Sequence, residues 1–120
     1  MVLVDTSVWI DHFKKGNSSL EKLLLDMEVI CHPFIIGELA CGNLKNRKEI
    51  LSLLHSLPEA TVLEHDEILY FIESNKLMGI GIGLIDVHLL ASAHLAHAPL
   101  WTIDKKLLSA SDALGISYKN

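Results

Sequence analysis

Residues 2–10 read Val-Leu-Val-Asp-Thr-Ser-Val-Trp-Ile, and this stretch decides the fold that we expect. Its first three residues are apolar on both faces, which is typical of a buried strand in a parallel sheet. Asp5 follows this strand directly. The residues from there to Lys15 have a helical pattern, with Ser7 as a candidate cap and Gly16 as the end.

Short apolar runs and helical patterns alternate along the rest of the chain. Further strands are predicted at residues 29–31, 61–63 and 100–102, with an edge strand at 116–118. Helices are predicted near residues 18–24, 33–42, 47–57, 65–77, 84–96 and 104–114. The stretch 84–96 is apolar nearly all round, so it should be central and buried. This alternation predicts an α/β fold, with a mostly parallel central sheet flanked by helices, in one domain over residues 1–120.

Composition limits the classes of function. The net charge of −5 counts against strong phosphate binding by the chain alone, although Lys45, Arg47, Lys48, Lys105 and Lys106 form local basic clusters. Hydrophobic residues make up 50% of the chain, and this excess predicts a buried subunit interface, most simply a homodimer. The sequence shows no signal peptide and no apolar run long enough to span a membrane, so we expect a soluble, cytoplasmic protein.

Two cysteines, Cys31 and Cys41, have no zinc-binding spacing and are expected to be small buried hydrophobic residues. Trp9 and Trp101 are expected in the core or an interface.

Four acidic residues lie in apolar segments that contain no basic residue. They are Asp5, Glu38, Asp86 and Asp104. Asp5 and Asp104 follow predicted strands, at the sheet edge where ligands bind in open parallel sheets. Asp86 lies in the first turn of a predicted helix, and Glu38 lies on a helix that must pack on the sheet. Two like charges 4 Å apart repel by about 4 kcal/mol at an effective dielectric constant near 20, so the cluster needs a cation. Oxygen ligands select Mg²⁺ or Mn²⁺, which predicts phosphodiester hydrolysis.

Each acid also has a purely structural interpretation. Asp5 and Asp104 could be helix N-caps, Asp86 could stabilise a helix dipole, and Glu38 could be a solvated helix residue. The hydroxyls of Thr6, Ser7 and Thr102 could hold a carboxylate or a metal-bound water, or could make ordinary capping bonds.

Two other motifs give weaker evidence of a functional site. The glycine-rich residues 79–83 lack the spacing of a dinucleotide-binding loop and are interpreted as a connector. His88, His94 and His97 share one helix, but zinc would need more ligands there, so surface or partner contacts are favoured.

Four segments together resemble PIN-domain ribonucleases, and most closely the VapC toxins of bacterial toxin–antitoxin pairs. They are residues 2–11 (VLVDTSVWID), 33–39 (PFIIGEL), 81–93 (GIGLIDVHLLASA) and 100–107 (LWTIDKKL). The resemblance implies a parallel sheet between helices, a homodimer and Mg²⁺- or Mn²⁺-dependent cleavage of RNA. By motif match it implies Asp5, Glu38, Asp86 and Asp104 as the acidic metal-site residues. It also implies a VapB antitoxin whose tail covers the active site. Lys105 and Lys106 follow Asp104 where some relatives have a further acid, which puts a second metal site in doubt.

Two alternatives come from other classes. A receiver-type signalling domain would also be small, acidic and Mg²⁺-binding, but it would place adjacent acids after the first strand, where Asp5 is followed here by Thr6. The second alternative is a PIN scaffold that binds RNA or protein without cleaving, and the four intact acids argue against it.

Overall fold

The computed structural model describes residues 1–119 and contains a parallel sheet of three short strands. The strand order is β2-β1-β3, with β1 at Val2–Val4, β2 at Val29–Ile30 and β3 at Leu100–Trp101. Leu3 pairs with Ile30 on one side and with Leu100 on the other. All three residues of β1 are buried because helices cover both faces of the sheet, and the predicted parallel α/β architecture is confirmed.

Two predicted strands are replaced by single bridges. The prediction of a strand at residues 61–63 is wrong, because the chain pairs with Cys31 earlier, at Glu59. The Cys31 N–H donates to Pro58 O, and the Ala60 N–H donates to Cys31 O, both at 2.8 Å. Beyond this bridge Thr61 is exposed and pairs with no strand.

The predicted edge strand at residues 116–118 is reduced to one bridge. Ser117 pairs with Leu100 in parallel, held by Leu100 N–H to Ile116 O at 2.7 Å and Tyr118 N–H to Leu100 O at 2.9 Å. The chain therefore touches the open edge of β3 without extending the sheet.

Seven helices occupy the rest of the described chain, close to the predicted positions. They are α1 Thr6–Lys15, α2 Ser18–Leu25, α3 Pro33–Ala40, α4 Arg47–Ser56, α5 His65–Asn75, α6 Leu84–Ala96 and α7 Lys105–Ala113. Of the two candidate caps of α1, Asp5 and not Ser7 caps the helix, and Asn17 caps α2. The Asn17 side chain accepts from the Leu20 N–H at 3.0 Å.

Helix α6 passes through the centre of the molecule, as its all-round apolar sequence predicts. Every residue from Val87 to Ala93 is buried, including His88 and Ser92. Trp9 and Trp101 are also in the core, and Cys31 is buried. The prediction of a buried Cys41 is wrong, because this residue lies exposed at the C-terminal end of α3. Among residues 1–119, none of the helices is both long and apolar enough to cross a bilayer.

Candidate active site

Asp5 lies where β1 ends and α1 begins, and its side chain is only 5% exposed. Its Oδ2 accepts hydrogen bonds from Ser7 Oγ at 2.7 Å, from Thr102 Oγ1 at 2.8 Å and from the Ser7 N–H at 3.4 Å. A buried carboxylate needs such donors to remain charged. The short strand β1 therefore delivers a carboxylate, fixed through one oxygen, to the carboxyl edge of the sheet.

Thr102 connects Asp5 to Asp104. The Thr102 hydroxyl donates to Asp5 and accepts from the Asp104 N–H at 3.1 Å. Asp104 in turn caps α7, where its Oδ1 accepts from the Leu107 N–H at 3.0 Å. Since β1 and β3 are neighbouring parallel strands, their ends place these two acids at one edge of the sheet.

Glu38 comes from α3, which packs against α1. Its side chain is exposed, and its Oε1 accepts from Thr6 Oγ1 at 2.8 Å. Thr6 and Ser7, adjacent in the first turn of α1, therefore hold two different carboxylates, Glu38 and Asp5.

Asp86 completes the cluster from the first turn of α6. Its Oδ2 accepts from the Gly83 N–H at 3.3 Å. The pKa of Asp86 is raised, first by burial and then by repulsion from Asp5, Asp104 and Glu38, against a lowering by the Gly83 bond. The structure thus brings Asp86 within electrostatic reach of the other three predicted acids, while Thr6, Ser7 and Thr102 hold Glu38 and Asp5 by hydrogen bonds.

Each of the four carboxylates is held through a single oxygen. In the described part of the chain, hydrogen bonds reach Asp5 Oδ2, Glu38 Oε1, Asp86 Oδ2 and Asp104 Oδ1, while the second oxygen of each side chain accepts none. The capping interpretations of Asp5 and Asp104 are therefore correct, and they leave one oxygen of each carboxylate available to a ligand.

The donor set suits a hard divalent cation. The ion pairs formed among residues 1–119 involve Glu28, Asp11 and Asp112, so no lysine, arginine or histidine neutralises the cluster. The acids do not form a preformed metal-binding site, because the described residues contain no group of three potential ligands at metal-binding distances. Mg²⁺ keeps several of its waters and needs only one or two direct carboxylates, so an open cluster of four acids fits such an ion.

A buried contact between α3 and α6 escaped the sequence analysis. His32 caps α3 by accepting from the Phe34 N–H on Nδ1 at 3.0 Å, which leaves the proton on Nε2. Nε2 then donates to Ser92 Oγ at 3.0 Å, and that hydroxyl donates to Thr61 O at 2.7 Å. Burial and the neighbouring His88 lower the pKa of His32 to about 4. The only sequence signal was a His-Pro pair at the start of a helix.

The glycine-rich motif takes the structural role that was favoured, whereas the prediction of surface contacts is wrong for His88, which is buried in α6. Residues 79–83 connect α5 to α6, and Gly79 and Gly81 have φ values of +70° and +83°, which favour glycine. His94 and His97 are exposed, and neither belongs to a potential metal-binding group within the described chain.

The family follows from comparison with known proteins. Residues 2–113 match the model of the PIN domain. The chain therefore belongs to the PIN-domain family. Within it, the chain is 44% identical over 118 residues to Ribonuclease VapC32 of Mycobacterium tuberculosis, in strain CDC 1551 / Oshkosh and in strain ATCC 25618 / H37Rv. Each alignment covers 98% of this chain and 95% of the relative, which places the chain among the VapC-type members of the family.

Proposed function

We propose that this chain is one PIN-like nuclease domain that cleaves RNA phosphodiester bonds with the help of Mg²⁺ or Mn²⁺. The observation that carries the proposal is the repulsion of Asp86 by Asp5, Asp104 and Glu38, with no cationic side chain paired to these acids among the described residues. Such an arrangement is unfavourable unless a cation joins it. RNA as the substrate is supported by the 44% identity to two proteins named as ribonucleases.

The carboxylates have distinct positions in this proposal. Asp5 and Asp104 would hold the ion with the oxygens that their capping bonds leave free, and Asp86 would approach it from the start of α6. Glu38 is exposed, as Asp104 is, and would complete the cluster on the solvent side from α3. When bound, the ion would supply Lewis acidity and a more acidic bound water for attack on phosphorus.

The hydroxyls keep the carboxylates oriented. Ser7 and Thr102 fix Asp5, and Thr6 fixes one oxygen of Glu38, so neither acid needs to reorganise when substrate binds. Preorganised charge of this kind is the main contribution that a protein makes to phosphoryl chemistry.

We further propose that the protein acts as a toxin and is silenced by a cognate VapB-type antitoxin. An arginine of the antitoxin would pair with the carboxylates in a fork and exclude the cation. A groove beside the site supports this, because Glu38 lies on its wall among apolar residues. The groove has a volume of about 520 Å³, and its apolar lining includes Ile10, Phe13, Leu39, Leu44 and Ile50.

We also propose a homodimer. Apolar side chains remain exposed near the candidate site, including Leu84 at 54%, Ile85 at 36% and Ile103 at 55%. An interface that covers them would explain the high apolar fraction of the chain. Sedimentation or light scattering of the purified chain tests this directly.

Cleavage by the purified chain tests the main proposal. A defined single-stranded RNA should be cut internally in Mn²⁺ or Mg²⁺, should stay intact in EDTA, and should be protected when the antitoxin is co-purified. Membership of the PIN family removes the receiver-type alternative. Metal-independent binding of RNA with no cleavage in any divalent ion would instead support the non-cleaving scaffold.

A further inference from the structure

A second cleft, of about 430 Å³, lies between the C-terminal end of α5 and helix α7. Lys76, Lys105 and Lys106 line it, over a floor that includes Ile80 and Leu114. None of its lining residues within the described chain is acidic. Three of the ten basic residues therefore converge on one cleft of a protein that carries 15 acidic residues.

These three lysines are free to bind an anion. Over residues 1–119, the lysines within 4.0 Å of a carboxylate are Lys15 and Lys119, and neither lines this cleft. Lys76, Lys105 and Lys106 are all exposed. Unpaired ammonium groups in a shared cleft repel one another, and an anionic ligand relieves that repulsion.

The cleft begins next to the candidate active site. Lys105 and Lys106 directly follow Asp104, the cap of α7. Lys106 extends over the backbone of Gly81, close enough that a Cβ there would lie 2.9 Å from its Nζ. Two residues later, the Gly83 N–H holds Asp86. The Lys106 ammonium thus lies between the loop that leads to Asp86 and the helix that begins after Asp104.

We propose that this cleft, called here the lysine cleft, binds the phosphodiester backbone of the RNA beside the bond that is cut. The proposal rests on the function proposed above. Four carboxylates and a net charge of −5 repel a polyanion, so binding requires a local source of positive charge. The lysines supply it at the rim of the carboxylate cluster. Lysine binds phosphate as a point charge, and each phosphate that it neutralises releases counterions.

RNA binding without cleavage tests the lysine cleft. The probe is a fluorescein-labelled single-stranded oligoribonucleotide, titrated in EDTA with full-length protein and followed by anisotropy from 50 to 200 mM salt. Lys105→Gln/Lys106→Gln removes two charges from the cleft. Lys15→Gln/Lys22→Gln is the matched control, since both residues are exposed on other helices and neither lines the cleft. Circular dichroism checks that both double variants are folded.

The two double variants should differ clearly. The Lys105/Lys106 variant should bind roughly tenfold more weakly at 50 mM salt, and its slope of log K against log salt should be shallower by about 1.4, or about 0.7 per lost phosphate contact. The control should match the wild type. Equal slopes and affinities for the two variants would overturn the proposal, as would undetectable binding by the wild type at 50 mM salt. A failed cleavage assay in Mn²⁺ would count against the nuclease proposal alone, because the binding titration needs no cleavage.

Discussion

The Thr102 hydroxyl donates to the Asp5 carboxylate at 2.8 Å, across 97 residues of sequence, and both side chains are buried. The same hydroxyl accepts from the Asp104 N–H, so one side chain fixes both strand-end acids of the candidate site. The geometry of these two carboxylates therefore depends on a residue that needs no contact with substrate.

Replacing Thr102 with valine keeps its shape and removes this donor. We expect a loss of about 1–3 kcal/mol in the free energy of unfolding, because the buried Asp5 oxygen loses a partner. RNA cleavage should fall as well, since Asp104 loses the bond to its N–H. Urea unfolding and a cleavage assay measure the two effects. Thr6→Val is the control, as its bond to Glu38 is exposed and should contribute less than 1 kcal/mol. Equal losses of stability in both variants would show that the buried bond from Thr102 to Asp5 contributes no more than the exposed bond from Thr6 to Glu38.

Asp5→Asn should reduce RNA cleavage more than tenfold, a rise in the barrier of at least about 1.4 kcal/mol, because the amide is a poorer cation ligand of nearly the same shape. Asp104→Asn should behave in the same way. Asp26→Asn serves as the control, because Asp26 caps the end of α2 and lies outside the four site segments. Initial rates of RNA cleavage by folded, purified variants test this prediction. An unchanged rate for Asp5→Asn would show that Asp5 does not belong to the site.

His32 makes the stability of the protein depend on pH. Its pKa is about 4 in the folded chain and about 6.5 when unfolded, so the unfolded state binds the proton more readily. The contribution of the neutral imidazole is therefore complete above pH 6.5 and is lost as the pH falls towards 4. Between pH 7 and pH 4.5 this loss should be about 2–3 kcal/mol.

Urea unfolding of the wild type and of His32→Asn at these two pH values measures this loss. The asparagine can still cap α3, but it cannot be protonated. The stability of the variant should fall less between pH 7 and pH 4.5 than that of the wild type. A variant with the same pH dependence as the wild type would show that other groups cause it.

Two glycines should respond in opposite ways to alanine. Gly81 has a φ of +83°, which strains any side chain, so Gly81→Ala should destabilise the fold by about 1 kcal/mol or more. The contact with Lys106 adds little to this cost, because the end of that side chain can move. Gly37 lies inside α3, and a Cβ there would meet no atom within 4 Å, so Gly37→Ala should stabilise the fold by up to about 1 kcal/mol. The melting temperatures of the two variants should shift in opposite directions. Shifts in the same direction would contradict this account of the two glycines.

The sequence predicted the parallel sheet and the position of Asp5 and Asp104 at its edge because both depend on local patterns. Asp5 follows one apolar run, and Thr102 and Asp104 follow another. Each run indicates the end of a strand, whichever strands pair with it. The strand predicted at residues 61–63 failed because pairing register is decided by neighbours, and Cys31 pairs with Glu59. The bond from His32 to Ser92 spans 60 residues, and no local pattern indicates such a contact.

The central claim, that the four carboxylates form a cation site, is tested most directly by thermal melts in EDTA and in Mn²⁺. The wild type should melt at a higher temperature in Mn²⁺, with a gain of about 2.7 kcal/mol at 100 times the dissociation constant. Asp86→Asn can still accept from the Gly83 N–H but carries no charge, so it should melt above the wild type in EDTA and gain less from Mn²⁺. Identical melts of the wild type in EDTA and in Mn²⁺, or an undiminished Mn²⁺ shift in Asp86→Asn, would contradict the claim.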